Sequence, residues 1–287
     1  MKALLICPAA VPSLRVLCET GPMETVPLLG QGLVEYWLSH LASLGIKEVS
    51  ILSHDRSEHL QRLLARGARW GLKVDVIEES RELPAAQALL KYEPQLGGSL
   101  PQDRVILMDH FPGQPTSLFG SFQQLHRGLL EWMPNAKTPD RVGVKESQPG
   151  IWTGLNCNLA TDLELQPPCW IGNNVYIGSG TTLGPGSIIE DGSFIEGICS
   201  ISESCVGPHT FVGQCSELSR SLAYGDTLVN LDTGFGVKVP DRFVLCALKQ
   251  QASTQGLSWF ARLAEIYCRN KAEAQLFWKH LLINRGS

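Results

Sequence analysis

An aliphatic residue returns every six positions through the second half of the chain. Ile171, Ile177, Leu183, Ile189, Ile195 and Ile201 keep the step, Val206 arrives one residue early, and Val212 resumes it. Neither a helix nor a sheet of separate strands has this period. Side chains alternate along an extended chain, so each aliphatic residue shares a direction with the residue two before it. Those partners are Val175, Thr181, Ser187, Ser193 and Cys199, small or β-branched as a narrow interior requires. Turn-formers recur on the same beat at Asn174, Gly180, Gly186 and Gly192, and such residues tolerate positive φ at a corner. Short strand, corner, short strand predicts a parallel β-helix with three hexads to a coil, roughly two to three coils here. Weaker matches extend the beat back to Leu163, Cys157 and Ile151, and forward to Leu218 and Tyr224.

The first half is patterned as alternating strands and helices. Residues 2–6, 47–53, 72–77 and 103–109 read as strands. Residues 31–44 read as a helix, with Leu33, Trp37, Leu41 and Leu44 on one face and Gly45 as its stop. Residues 57–68 and 84–91 read as two more helices. Strands alternating with helices imply a parallel α/β sheet, whose ligands bind at the carboxyl ends of the strands. The loop 7–30 and Asp109 fall there. Between 257 and 283 the aromatic and aliphatic residues, from Trp259 and Phe260 to Leu281 and Leu282, return at helical spacing with Arg and Lys interspersed. That tail packs on protein or lies on a membrane surface.

Composition narrows the classes. The chain has 287 residues, room for two modest domains, and a net charge of −4. It has no basic run interleaved with aromatics, which argues against nucleic acid, and no apolar stretch of membrane-spanning length. The opening MKALLICP is too short for a signal peptide and suits a first strand. Nine cysteines are scattered without CxxC pairs, the pattern of buried thiols in a reducing cytoplasm.

Two resemblances follow. The hexads resemble the left-handed parallel β-helix of hexapeptide transferases. The phrase GQGLVEYWLSHLASLGIKEVSIL, residues 30–52, resembles the segment after the signature loop of sugar-phosphate nucleotidyltransferases, a family that often carries such a β-helix behind its catalytic domain. Together they imply a Rossmann-like, nucleotidyltransferase-type α/β domain over 1–135, a left-handed β-helix with trailing strands over 140–248, and a helical tail over 256–284.

The resemblance also shows what has changed. The family's first strand runs into a glycine-rich loop ending in Thr-Arg and then a Pro-Lys pair. Its glycines bring backbone N–H groups to the phosphates, and its cations offset charge on departing pyrophosphate. Here the loop reads Cys7-Pro8-Ala9-Ala10-Val11-Pro12-Ser13-Leu14-Arg15, without glycine and with two prolines that lack an N–H. Arg15 stands for the loop arginine, and Pro22-Met23 replaces Pro-Lys. Leu83-Pro84-Ala85-Ala86-Gln87 replaces the glycine-containing turn at the nucleobase. Asp109 matches the family's metal-binding aspartate, which implies Mg2+ if nucleotidyl transfer persists; its other reading is a strand-end cap. The short span to the first hexads leaves no room for the family's sugar-binding subdomain.

Three functions remain open. One is a cytoplasmic nucleotidyltransferase-like protein, impaired or inactive in transfer, that binds a nucleotide, a sugar nucleotide or a partner in nucleotide-sugar or polysaccharide metabolism. Another is a hexapeptide acyltransferase acting on a sugar or nucleotide sugar, with His209 as general base; the plainer reading of His209 is an exposed corner residue beside the register slip. The last is a structural module that makes homo-oligomers.

Overall fold

The computed structural model describes residues 2–9, 11–19, 21–94, 104–136 and 144–248. The helical tail expected over 256–284 lies outside them. Residues 1–248 form one compact unit.

Strands β1 (Lys2–Ile6), β4 (Glu48–Ser53), β5 (Lys73–Glu78) and β6 (Val105–Leu107) make a parallel sheet in the order β5-β4-β1-β6. The helices α1 (Leu33–Ser43), α2 (Ser57–Leu64) and α3 (Ala85–Tyr92) alternate with them as the pattern predicts. The expected last strand is shorter, stopping at Leu107. Three elements carry little sequence signal. They are a hairpin of β2 (Pro27–Leu28) and β3 (Gln31–Gly32), a pair of short 3-10 helices over 12–25, and the helix α4 (Phe122–Trp132). α4 is capped by the Ser121 hydroxyl, which accepts from the Gln124 N–H.

From Ile151 the chain winds through three parallel sheets. Strands Ile151–Thr153, Cys169–Ile171, Ser187–Ile189, Cys205–Val206 and Ser221–Tyr224 stack on one face. Four strands stack on each of the others, from Asn158–Leu159 to Thr210–Val212 and from Glu164–Leu165 to Glu217–Ser219. That is more than four coils, beyond the two to three that the strict hexads predict. The interior is the predicted one: Ile171, Ile177, Leu183, Ile189, Ile195 and Ile201 are buried, as are Val175, Thr181, Ser187, Ser193 and Cys199. At the forward end the beat slips, because Ala223 fills the interior and Tyr224 packs against the α/β core.

The corners explain the register slip. Asn174, Gly180, Gly186 and Gly192 all have positive φ, and so do Ile198, Glu203, His209 and Cys215. The step is six except between Ile198 and Glu203 and again between Cys215 and Arg220, which also has positive φ; one residue is missing each time, which brings Val206 early and puts Ala223 inside in place of Tyr224.

The two halves share a core. On the outer side of the five-rung face, Trp152, Trp170, Ile188, Cys205 and Leu222 stand in register as a ladder. All are buried with the α/β residues in one cluster that includes Leu33, Tyr36, Phe111 and Leu129. Polar contacts seam the same junction. The Glu190 carboxylate accepts from the Leu29 and Gly30 N–H groups at 2.5 and 2.7 Å, and His126 of α4 bonds the Gly186 carbonyl at 2.9 Å through Nε2.

Candidate functional site

In the order β5-β4-β1-β6, the chain builds outward from β1 on one side and then returns to its other side. The switch point therefore lies between β1 and β6, where open α/β sheets bind ligands. Ile6 pairs with Leu107, and the Met108 N–H bonds the Ile6 carbonyl at 2.9 Å. Both the loop starting at Cys7 and Asp109 thus leave the sheet at that point.

Pro8 has no N–H, and the Ala9 N–H donates to the Glu82 carboxylate. Glu82 immediately precedes the Leu83–Gln87 turn, so the chain's own carboxylate sits on a backbone donor of the loop that in the resembling family faces phosphates. Arg15 is exposed on the 3-10 helix Pro12–Cys18. Met23, the residue that the resemblance sets against the family's lysine, is buried with its sulfur 3.9 Å from the Cys18 thiol. Gln87 is exposed at the start of α3.

Asp109 is half-buried, two residues past the end of β6. Its Oδ1 is 2.7 Å from His110 Nδ1, and the Ser117 hydroxyl also bonds it; these partners, His110 first, hold its carboxyl below the usual range. The His110 carbonyl accepts from the Trp37 indole N–H at 2.9 Å, which fixes the turn on α1. Among the described residues, no three acidic, histidine or cysteine side chains gather to hold a metal ion. Asp109 therefore has local partners in His110 and Ser117, without a cluster of further ligands among the described residues. Asp109 and Arg15 share no hydrogen bond or ion pair.

His209 takes a corner conformation, with φ of 50°, but it is partly buried rather than exposed. Its ring lies over Gly192, where a Cβ would stand 2.3 Å from Nδ1. Burial pushes its pKa down, while the nearby Asp191 charge acts the other way. Asp191 itself accepts from the Asn173 N–H and side-chain amide at 2.8 and 3.0 Å.

A second cluster at the sheet's carboxyl edge carried no motif. Glu24, 2% exposed, lies in the 3-10 turn Met23–Thr25. The Cys7 thiol at the end of β1 lies beside that carboxylate, and the Ser53 hydroxyl at the end of β4 lies beside the sulfur. Among the described residues Glu24 Oε1 has no hydrogen-bond partner. Burial, before any other cause, raises Glu24 to about 7 and Cys7 well above the thiol range. The only sequence hint is one acid in the mostly apolar run Pro22-Met23-Glu24-Thr25-Val26-Pro27-Leu28-Leu29.

Residues 13–124 match the family model described as nucleotidyl transferase. The N-terminal half is nucleotidyltransferase-like. Residues 164–197 match the bacterial transferase hexapeptide model, so a hexapeptide repeat follows the nucleotidyltransferase-like half. Among characterised proteins, a glucose-1-phosphate thymidylyltransferase of Streptomyces antibioticus is 31% identical over 97 residues, 34% of this chain and 27% of that protein. The low-salt glycan biosynthesis nucleotidyltransferase Agl11 of Haloferax volcanii is 33% identical over 89 residues, 31% of this chain and 25% of its own length. The matches therefore span about a quarter of these relatives. No helix among the described residues is long and apolar enough to cross a membrane.

Proposed function

We propose that the chain is a nucleotidyltransferase-like protein impaired in nucleotidyl transfer, which acts in nucleotide-sugar or polysaccharide metabolism by binding or assembly. The observation that carries this reading is the loop after β1. Its Ala9 donor is taken by Glu82, Met23 is a buried plug where the family has a lysine, and Asp109 is tied to His110 and Ser117. Transfer needs a cradle of donors and cations around developing charge, and each of these positions has been given another partner. The names of the similar proteins supply the substrate class, a sugar phosphate or sugar nucleotide. In this reading the α/β half spans 1–135, the coil spans 140–248 and winds left-handed, and copies assemble through it.

The test is pyrophosphate release from nucleoside triphosphates with sugar 1-phosphates, run beside a thermal-shift series with sugar nucleotides. The expected result is no turnover above background together with a raised melting temperature for at least one sugar nucleotide. Robust turnover would overturn the loss of transfer, and a flat thermal-shift series would overturn binding.

The coil is better read as scaffold than as acyltransferase. Its outer ladder is spent on the α/β half, and His209 serves as a corner. His209→Ala should leave any acyl transfer from acyl-CoA at background in both proteins; activity in the wild type that the variant lacks would restore the enzymatic reading.

A further inference from the structure

We propose that Glu190 of the coil is a latch that fixes the turn Leu29–Gly30 and, through it, positions the segment carrying Glu24 against Cys7. The hairpin of β2 and β3 closes through two residues, with Leu28 opposite Gln31. Leu29 and Gly30 have φ of 54° and 78°, so both central positions lie in the region of a type I′ turn. Glycine suits that region; leucine is strained in it. The N–H groups of the two central residues of such a turn also have no partner inside the hairpin.

Glu190 meets both needs from 160 residues away. Its Oε1 accepts from the Leu29 N–H at 2.5 Å and its Oε2 from the Gly30 N–H at 2.7 Å. The residue is 1% exposed, at the end of the coil strand Ser187–Ile189. A buried carboxylate is costly unless donors meet it, so turn and carboxylate depend on each other. The Leu29 side chain is wholly buried, which anchors the turn where Glu190 can reach it. The hairpin in turn lies on the Glu24 segment: a Cβ on Gly32 would come within 3.0 Å of the Glu24 carbonyl oxygen and 3.2 Å of Thr25 Cα. The line of contact runs from the coil through the turn to Glu24, and from Glu24 to Cys7 at the end of β1.

Amide hydrogen exchange tests this on the full chain. In the wild type the Gly30 amide, which a bare turn would leave open to water, should be protected by about 100-fold or more. Glu190→Gln keeps the shape but sets an NH2 group against one of the two donors. In it, exchange over residues 23–32 should quicken by about tenfold or more while residues 164–197 keep their wild-type rates, and Cys7 should be alkylated faster. Unchanged exchange over 23–32 in a folded variant overturns the latch, and so does a uniform rise along the chain, which marks general destabilisation. Should the variant not fold, the wild-type Gly30 amide decides alone: without protection the proposal fails. None of these readouts uses a nucleotide, so the outcome is independent of the functional reading above.

Discussion

At the scale of single residues, the carboxyl edge of the sheet holds a buried acid that works against the fold at neutral pH and above. Glu24 titrates near 7 in the folded chain, against an ordinary 4.5, because burial disfavours its charge. Below 4.5 it is protonated in both states. Between 4.5 and 7 the folded chain keeps a proton that the unfolded chain has shed, so rising pH favours unfolding. Above 7 both states are ionised and the full penalty stands, about 3 kcal/mol. Urea denaturation should show stability falling by roughly that amount between pH 4.5 and 8, with the slope removed in Glu24→Gln. Thiol chemistry should follow burial too. Cys7 and Cys205 are buried with pKa values pushed well up, and Cys169 is pushed to about 12, whereas Cys215 is exposed. Peptide mapping after brief alkylation at pH 7.5 should find Cys215 modified and those three intact. The loss of glycine and lysine from the loop was legible in the sequence. Glu24, Glu82 and Glu190 were not, because each acts through a partner that only the folded chain brings near.

At the scale of elements, the coil was the most legible part, since its period is written into the side chains that fill it. Ile171, Ile189 and their inward neighbours were readable because burial selects aliphatic residues at fixed steps. The later corners were not readable: Ile198, Glu203, His209 and Cys215 take positive φ without being glycine or asparagine, carried by the ladder on either side. Helix α4 is harder to read because Gly128, a poor helix former, sits in its buried face beside Phe122, Leu125 and Leu129. Gly184 is a tight place in the coil, with φ of 103° and its missing Cβ only 1.9 Å from the Gln166 carbonyl oxygen. Gly184→Ala must push two backbones apart and should cost about 3 kcal/mol, read as a lowered urea midpoint. Ile189→Ala, which empties part of the interior, should cost about 2–5 kcal/mol in the same measurement.

At the scale of the whole molecule, the two sequence patterns meet in residues 1–248, which form one compact unit. The periodicity within each half could not show this, because the ladder Trp152, Trp170, Ile188, Cys205 and Leu222 uses the outward positions that hexad counting ignores. Thermal and urea unfolding, followed by fluorescence and by circular dichroism, should give one coincident transition for both halves. Trp170→Ala should lower it as a whole by about 3–5 kcal/mol; two separated transitions would count against a shared core. The ends of the sheets have a further consequence. An open strand edge invites another chain to add to it. The five-rung face is closed at one end by the exposed polar strand Lys145–Gln148 and at the other by antiparallel strands, and Leu245–Ala247 runs antiparallel across the last rung of a second face. The remaining face ends at Glu164–Leu165 and Glu217–Ser219. Stacking copies end to end would set Glu217 of one on Glu164 of the next, like charge on like charge. Like charge on that face, with the covered ends of the other two, works against growth of the coil into a fibre along its own axis.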